Sequence, residues 1–184
     1  MKLHLGCWKR FIPGFIHIDI CNLPHIDYCH SVDNLPMIEN DSVDLIYASH
    51  VFEYYDRQEA ITVITEWRRA LKNGGILRMA VPDFQSLIKV YQESGDIDKI
   101  LGPLYGRMVV DKHLDSMRVI YHKTVYDFSS LRILLEENGF GKVHRYDWKQ
   151  TIHKDYDDHS QAYYPHMDKE KGLHISLNIE AIKI

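Results

Sequence analysis

The sequence predicts an α/β protein in which an open, mostly parallel sheet carries helices on both faces. Short apolar segments typical of strands alternate along the chain with longer amphipathic segments typical of helices. Three of the strand-like segments end at a small or polar residue, namely Gly6, Asp19 and Ser49, where an open parallel sheet binds its ligands. A chain of 184 residues is most simply one domain, so we expect a single domain over residues 1–184.

The first half of the chain is predicted to supply four strands and one long helix. Runs of apolar and β-branched residues predict strands at residues 2–5, 16–20, 43–48 and 76–81. Asp56 is a suitable N-cap for a helix between the last two strands, and Gly74-Gly75 is expected to end it. The apolar stripe of this helix has the spacing of one helical face and consists of Ala60, Val63, Ile64, Trp67 and Leu71.

The second half is predicted to begin with a helical part. Residues 84–105 are typical of two short helices broken at Ser94-Gly95, and we expect residues 84–122 to form a helical insertion or lid. A stronger helix follows, with Asp127 or Ser129 as its cap, and it ends before Gly139. Two more strands are predicted at residues 142–148 and 174–183.

Composition narrows the classes of partner. The formal charge of −4 argues against a general nucleic-acid binder, which relies on clustered Lys and Arg, and favours a small-molecule substrate. No apolar run approaches the roughly 20 residues of a membrane span, and the first residues carry too short an apolar run for a signal peptide, so we expect a cytoplasmic protein without membrane insertion. The cysteines, Cys7, Cys21 and Cys29, form no CxxC motif and are expected to be reduced.

The loop after the first predicted strand is short. Gly6 lets backbone approach a ligand closely, and Asp19 at the end of the next strand can accept hydrogen bonds from both hydroxyls of a ribose. A glycine in this place alone is usually an ordinary turn, but the two residues together favour a nucleotide site. Residues 6–15 are too few for the usual crossover helix. We therefore predict at most a turn or two of helix and a thinly covered cleft.

Five motifs together resemble one enzyme family. They are LHLGC, IHID, NLPMIENDSVDLIYASHVFEYY, EWRRALKNGGILRMAVPD and HKTVYDFSSLRILLEENGF. In this order they resemble the class I S-adenosylmethionine-dependent methyltransferases, in particular small bacterial and archaeal members with a short first loop. The resemblance covers residues 3 to about 148. It implies a Rossmann-like seven-stranded sheet with the last strand antiparallel near the C-terminal edge, S-adenosyl-L-methionine as cofactor, and methyl transfer as activity.

The resemblance also implies site residues. The methionine part of the cofactor would lie at Gly6, Cys7 and Trp8, the ribose at Asp19 and the adjacent Ile20, and the adenine at Ser31, Val32 and Asp33. The floor under the methyl group would be formed by Ala48, Ser49 and His50.

Transfer from a sulfonium needs alignment and a proton acceptor. His50 is the first candidate for the base because it comes just after the predicted strand at residues 43–48 and an imidazole titrates near neutral pH, and His122 is the second. A structural histidine bonded to backbone is the alternative for either. Glu53 and Tyr54 continue the same segment and are candidates for holding substrate.

Two departures from the family pattern leave alternatives open. Trp8 stands where the family has a glycine, and a left-handed backbone there costs a bulky residue about 1 kcal/mol or more. Its indole either occupies the place of the cofactor or turns outward and covers the cleft. Ser31 replaces an acid that would bind the adenine amine, although Asp33 or the Val32 amide can substitute.

The segment 149–172 is polar and too long for an ordinary connector. Its imidazoles and carboxylates suggest a metal set, but their spacing matches no zinc motif, and we predict no metal. The set would be His153, Asp157, His159 and His166. A substrate lid or a protein contact is the preferred reading, because tyrosines present flat amphipathic surface to a sugar or a partner, with a solvated loop as the alternative.

The sequence thus favours a methyltransferase acting on a small molecule, for example a sugar or a cell-surface precursor. The alternative from another class is a catalytically degenerate methyltransferase-like binding or scaffold module, supported by Trp8 and Ser31. A nicotinamide-dependent Rossmann enzyme is a third reading, against which stand the missing glycines and the missing helix that would hold a pyrophosphate.

Overall fold

The computed structural model describes residues 1–111 and 117–184. Its α-helices are α1 (Glu59–Ala70), α2 (Phe84–Ser94), α3 (Asp98–Tyr105) and α4 (Phe128–Glu137). Its strands are β1 (Lys2–Leu5), β2 (Ile16–Asp19), β3 (Tyr28–Cys29), β4 (Val43–Ser49), β5 (Leu71–Pro82), β6 (Met108–Asp111), β7 (Met117–Ile120), β8 (Phe140–Arg145), β9 (Tyr163–Tyr164), β10 (Leu173–His174) and β11 (Ser176–Lys183).

Seven strands form one sheet in the order β3-β2-β1-β4-β5-β11-β8. All neighbouring pairs are parallel except those made by β11, which runs antiparallel to both β5 and β8. This arrangement confirms the predicted Rossmann-like, seven-stranded and mostly parallel sheet with its last strand antiparallel. Helices were predicted on both faces, but on the second face irregular chain takes the place of the helical layer. From β1 the chain continues to β2 and β3 on one side and then returns to β4 on the other side of β1, so the strand order reverses at β1. The carboxyl ends of these strands form the crevice where such sheets bind ligands.

One face of the sheet is covered by α1 and α4. Their apolar residues pack on the strands in the main hydrophobic core, where Trp67 of α1 is fully buried beside Phe52. Leu131 and Leu135 of α4 complete this layer, while Leu134 is partly buried against it. The predicted cap of α4 is Asp127, whose carboxylate accepts a bond from the Ser130 amide at 2.8 Å.

The other face is covered mainly by irregular chain. The loop between β1 and β2 contains turns and no helix, as predicted, and its Ile12 and Phe15 pack on Leu45 and Tyr47 of β4. Beside it lies the C-terminal segment that carries the short 3-10 helices Trp148–Gln150 and His159–Gln161. The ring of its His153 stacks on that of Tyr47 at a centroid distance of 4.0 Å.

The prediction for the end of the first long helix was wrong. α1 stops at Ala70, and Gly74 and Gly75 lie within β5, where the pairing with β4 shifts register between Val43 and Leu45. Gly74 has φ 78°, and a Cβ on Gly75 would lie 3.1 Å from the Val43 carbonyl oxygen. The glycines therefore serve a bulge in the strand, where backbone approaches backbone closely.

The predicted insertion at residues 84–122 is helical at its start. α2 and α3 match the two expected helices, and Gly95 ends α2 in the left-handed conformation. The chain then forms a hairpin of β6 and β7, which the sequence did not predict. Residues 112–116 of the predicted insertion lie outside the described residues.

Three further findings bear on the expectations from composition. Among the described helices, none has both the length and the apolar character needed to cross a bilayer. Cys7 and Cys29 carry free thiols, and Cys7 and Cys21 are buried. The predicted polar segment 149–172 contains the end of the 3-10 helix Trp148–Gln150 and the whole of the 3-10 helix His159–Gln161. It also contains strand β9, which pairs with β10.

Acid is expected to destabilise the fold through histidines on the second face. Burial lowers the pKa values of His4, His17 and His153 below the ordinary value. Below pH 6.5 the unfolded chain therefore binds more protons than the folded protein, and each pH unit costs about 1.4 kcal/mol per histidine that stays neutral. The free energy of unfolding in urea should fall from pH 7 to pH 5.

His153→Phe isolates one of these groups, because it keeps a ring on Tyr47 and removes the titration. Its loss of stability between pH 7 and pH 5 should be smaller than that of the wild type. His144→Phe, at an exposed site, serves as the control and should keep the wild-type slope. Equal slopes in all three proteins would contradict this account.

Candidate active site

A cavity of about 1140 Å³ opens at the carboxyl ends of β1, β2 and β4. Its walls come from the loops after these strands, from residues 102–110 and 119–123, and from residues 158–175. The predicted site residues that line it are Gly6, Cys7, Trp8, Asp19, Ile20, Ser31, Val32, Asp33, Ser49, His50 and His122. Ala48 instead lies in the main hydrophobic core with no exposed surface.

Gly6 is held in a conformation that other residues rarely adopt. Its φ is 63°, and its amide donates to the Ile18 carbonyl at 2.9 Å. A Cβ on this residue would lie 2.4 Å from Cγ2 of Val51, which is closer than real atoms approach. Both the backbone angle and the close contact therefore require glycine here.

Asp19 is buried at the end of β2, and two backbone amides hold its carboxylate. Trp8 N donates to Oδ2 at 2.7 Å, and Cys21 N donates to Oδ1 at 2.8 Å. Each oxygen accepts one bond and keeps further acceptor capacity. The carboxylate is thus fixed at the cavity wall in an orientation that fits a pair of neighbouring hydroxyls, as a ribose presents.

Trp8 adopts φ 44°, the left-handed conformation that the sequence suggested would be costly. The bond from its amide to Asp19 compensates part of this strain. Its indole is 37% exposed and forms part of the cavity wall, with the Lys9 ammonium 4.6 Å from the ring centroid. The indole therefore borders the cavity.

Cys7 lies beside Asp19 and stays a thiol. Burial, together with the charge of Asp19, raises its pKa to about 12. A thiol with such a pKa is a weak nucleophile at neutral pH, so Cys7 contributes surface rather than chemistry.

Side chains of α1 fix the loop that carries Ser31, Val32 and Asp33. The indole of Trp67 donates from Nε1 to the Val32 carbonyl at 2.8 Å. Glu66 accepts from the Leu35 amide at 2.6 Å, and Arg69 donates to the Leu35 carbonyl at 3.0 Å. The helix predicted from its apolar stripe therefore also positions this wall of the cavity.

A buried carboxylate lies between the two predicted catalytic histidines. Glu53 has no exposed surface, and its Oε1 lies 3.3 Å from Nδ1 of His50 and 3.6 Å from Nε2 of His122. The sequence suggested that Glu53 contacts substrate, but in the structure it is buried against the two imidazoles and does not line the cavity. A carboxylate in this position orients the rings and stabilises any positive charge on them.

Both nitrogens of His50 already face partners. Nε2 lies 3.0 Å from Oγ of Ser176, whose hydroxyl donates to Oδ1 of Asn178 at 2.9 Å. Ser176 therefore accepts from His50, which places a proton on Nε2, and Nδ1 faces Glu53. This arrangement fixes the ring but leaves it without a free lone pair for a ligand.

His122 is also held firmly. Its Nδ1 lies 2.9 Å from the Pro103 carbonyl oxygen, so this nitrogen carries the proton. A Cβ on Gly106 would lie 1.9 Å from Nε2, which shows how closely the backbone packs on the ring. Burial lowers the pKa of His122, while the charge of Glu53 opposes this effect.

The C-terminal segment closes the cavity through Asp158. This buried carboxylate accepts bonds from the Tyr47 hydroxyl at 2.5 Å, from the Ser49 hydroxyl at 3.3 Å and from the Ser160 amide at 2.7 Å. The next residue, His159, lines the cavity with its ring 5.3 Å from that of His50. No local pattern indicates this placement, because it depends on contacts between residues about a hundred positions apart.

The four residues suggested as a metal set do not come together in one place. His153 is fully buried against Tyr47, whereas Asp157 is exposed and pairs with Lys169 at 2.8 Å. Among residues 1–111 and 117–184, no group of three or more His, Cys, Asp or Glu is arranged to hold a metal ion.

Comparisons with known proteins agree with this geometry. The family model described as methyltransferase domain matches residues 15–79, which include Asp19, the 31–33 loop and His50. No curated protein matches the chain by sequence.

Three solved structures illustrate the shared fold. A SAM-dependent methyltransferase from Methanosarcina mazei is 17% identical, with a TM-score of 0.56 over 100% of this chain and 92% of that one. A possible histamine N-methyltransferase from Thermotoga maritima is 13% identical, with a TM-score of 0.56 over 100% and 82%. An S-adenosylmethionine-dependent methyltransferase from Mesorhizobium loti is 15% identical, with a TM-score of 0.53 over 99% and 90%.

Removing the charge of Glu53 should shift the titration of His122. Because the carboxylate raises the pKa of His122 against the effect of burial, Glu53→Gln should lower this pKa further. Imidazole signals followed by NMR across the pH range measure the change directly. Glu136→Gln, at an exposed position of α4, is the matched control and should leave His122 unchanged. A pKa of His122 that stays constant or rises in Glu53→Gln would refute the proposed coupling.

Proposed function

We propose that the chain is a class I S-adenosylmethionine-dependent methyltransferase that binds S-adenosyl-L-methionine and methylates a small molecule bound in the same cavity. The match of the methyltransferase-domain model to residues 15–79 supports this proposal. A sugar or a cell-surface precursor is the class of acceptor we favour. The observation that carries this proposal is the size of the cavity. Its volume of about 1140 Å³ exceeds the roughly 300–1,000 Å³ typical of a site for one ligand.

The proposed cofactor site lies along the ends of β1, β2 and β4. The cofactor supplies an activated methyl group on a sulfonium sulfur when it is bound. Asp19 holds the ribose hydroxyls with its fixed carboxylate, and the backbone at Gly6 approaches the methionine part closely because no Cβ intervenes. The loop at residues 31–33 borders the adenine, with Asp33 or the Val32 amide in place of the acid that Ser31 replaces.

Arg10 is a further candidate for this site, although the sequence did not single it out. It lines the cavity, and its buried Nε has no hydrogen-bond partner among the described residues. A buried donor of this kind favours a ligand that can accept from it, because an unpaired polar group is costly. We assign Arg10 to the carboxylate of the methionine part, since a guanidinium matches a carboxylate in shape and charge.

The rest of the cavity supports a compact acceptor. Tyr54, Tyr121 and Tyr163 line it from three different segments and present flat amphipathic rings of the kind that pack on sugars. The formal charge of the chain, −4, supports a small acceptor over a long polyanion.

Cofactor binding tests the first half of the proposal. Calorimetry with S-adenosylmethionine and S-adenosylhomocysteine should show binding to the wild type and a loss of about tenfold or more in Asp19→Ala, because two bonds to a charged acceptor disappear. Trp8→Gly should bind within a few-fold of the wild type, since the indole borders the cavity.

Asp157→Ala, at an exposed position, is the control and should bind normally. Binding that appears only after Trp8→Gly would contradict an active enzyme and indicate a blocked site. Binding of NADH without S-adenosylhomocysteine would overturn the cofactor assignment.

Transfer of label tests the second half. With S-adenosylmethionine carrying a tritiated methyl group, the label should enter the low-molecular-mass fraction of a cell extract, because the cavity admits a compact acceptor beside the cofactor. Asp19→Ala should abolish the transfer. Label that enters the RNA, DNA or protein fraction instead would overturn the small-molecule assignment.

A further inference from the structure

Among the other histidines that line the cavity, His159 lies next to His50 and differs from the two that the sequence identified. His50 and His122 have nitrogens engaged by Ser176, Glu53 and Pro103. The ring of His159 makes no hydrogen bond or ion pair within the described part of the chain, and it lines the cavity. We propose that His159 accepts the proton of the acceptor during methyl transfer, an inference that rests on the proposed function.

The position of His159 suits this task. Its ring lies 5.3 Å from that of His50, which directly follows β4, where the proposed floor under the methyl group lies. The backbone at this point is fixed, because Asp158 is bonded to Tyr47 and Ser49 of β4. A group that takes a proton must be held within hydrogen-bond reach of the reacting atom, and this anchor provides that restraint.

The protonation state of His159 is also suitable. The residue keeps exposed surface, and the burial of part of its ring, together with the electrostatic effect of the neighbouring His50 and Arg10, lowers its pKa below the ordinary value. The carboxylates of Asp158 and Glu53 oppose the effect but do not outweigh it. The imidazole is therefore neutral at pH 7 and offers a lone pair to the cavity.

The step balances without another reactant. A lone pair on the acceptor's heteroatom forms a bond to the methyl carbon as the carbon–sulfur bond breaks, and the bonding electrons remain on sulfur. The proton of the heteroatom, which becomes more acidic as the new bond forms, moves to a free ring nitrogen of His159. The resulting imidazolium then releases this proton to water when the products leave.

A binding measurement tests the position of the lone pair without turnover. Sinefungin is an analogue of the cofactor that carries an amine where the cofactor carries the transferred methyl group. If His159 faces this place, its ring accepts a bond from the amine, and His159→Phe should weaken sinefungin binding by about tenfold. Binding of S-adenosylhomocysteine, which has no group at this place, should stay within a few-fold of the wild type.

His166→Phe is the matched variant, because His166 belongs to the same segment and also lines the cavity. Its ratio of sinefungin to S-adenosylhomocysteine affinity should equal that of the wild type. An unchanged ratio in His159→Phe, or an equal loss in both variants, would overturn the assignment of His159 alone. If S-adenosylhomocysteine fails to bind the wild type, the proposed cofactor site fails, and the inference about His159 fails with it.

Discussion

The ten-residue connection between β1 and β2 is the constraint on which the rest of the structure depends. It is too short to place a helix on the sheet, so the second face lacks the layer that a crossover helix normally supplies. The chain fills this gap with the segment that follows β8, which packs His153 on Tyr47 and bonds Asp158 to β4. Because this segment reaches the carboxyl ends of the strands, it also supplies a wall of the cavity.

Because the segment after β8 takes the place of a crossover helix, polar groups become buried on the second face of the sheet. An irregular segment carries many polar side chains to the sheet, and they must find partners there or remain neutral. Asp158 satisfies this rule with three donors, while His153 remains neutral because burial lowers its pKa. The buried carboxylate of Glu53 faces the imidazoles of His50 and His122.

Local signals made part of this molecule predictable from the sequence. Gly6 and Asp19 are recognisable because their roles depend on backbone geometry at strand ends, which the strand pattern itself defines. The short length of the loop between β1 and β2 could likewise be counted from the sequence. Gly74 and Gly75 misled the prediction because a glycine pair suits both a helix end and a strand bulge, and the choice depends on pairing with β4.

The remaining walls of the cavity were beyond local reasoning. The bond between Tyr47 and Asp158 joins residues 111 positions apart, and no pattern within either segment indicates it. Glu53 was noticed but misplaced, since its burial results from the packing of His50 and His122 on both sides. The hairpin of β6 and β7 was missed because its strands are four residues long and follow a strongly helical stretch.

Because Asp158 attaches the C-terminal segment to β4, the two sides of the proposed site come from distant parts of the chain. The proposed cofactor contacts are encoded almost entirely before residue 51, whereas His159 and Tyr163 are encoded more than a hundred residues later. Insertions or exchanges between β8 and β11 that keep Asp158 in place would alter the acceptor side and leave the cofactor side intact. Under the proposed function, a fold organised in this way would let the acceptor contacts change while the cofactor contacts stay the same.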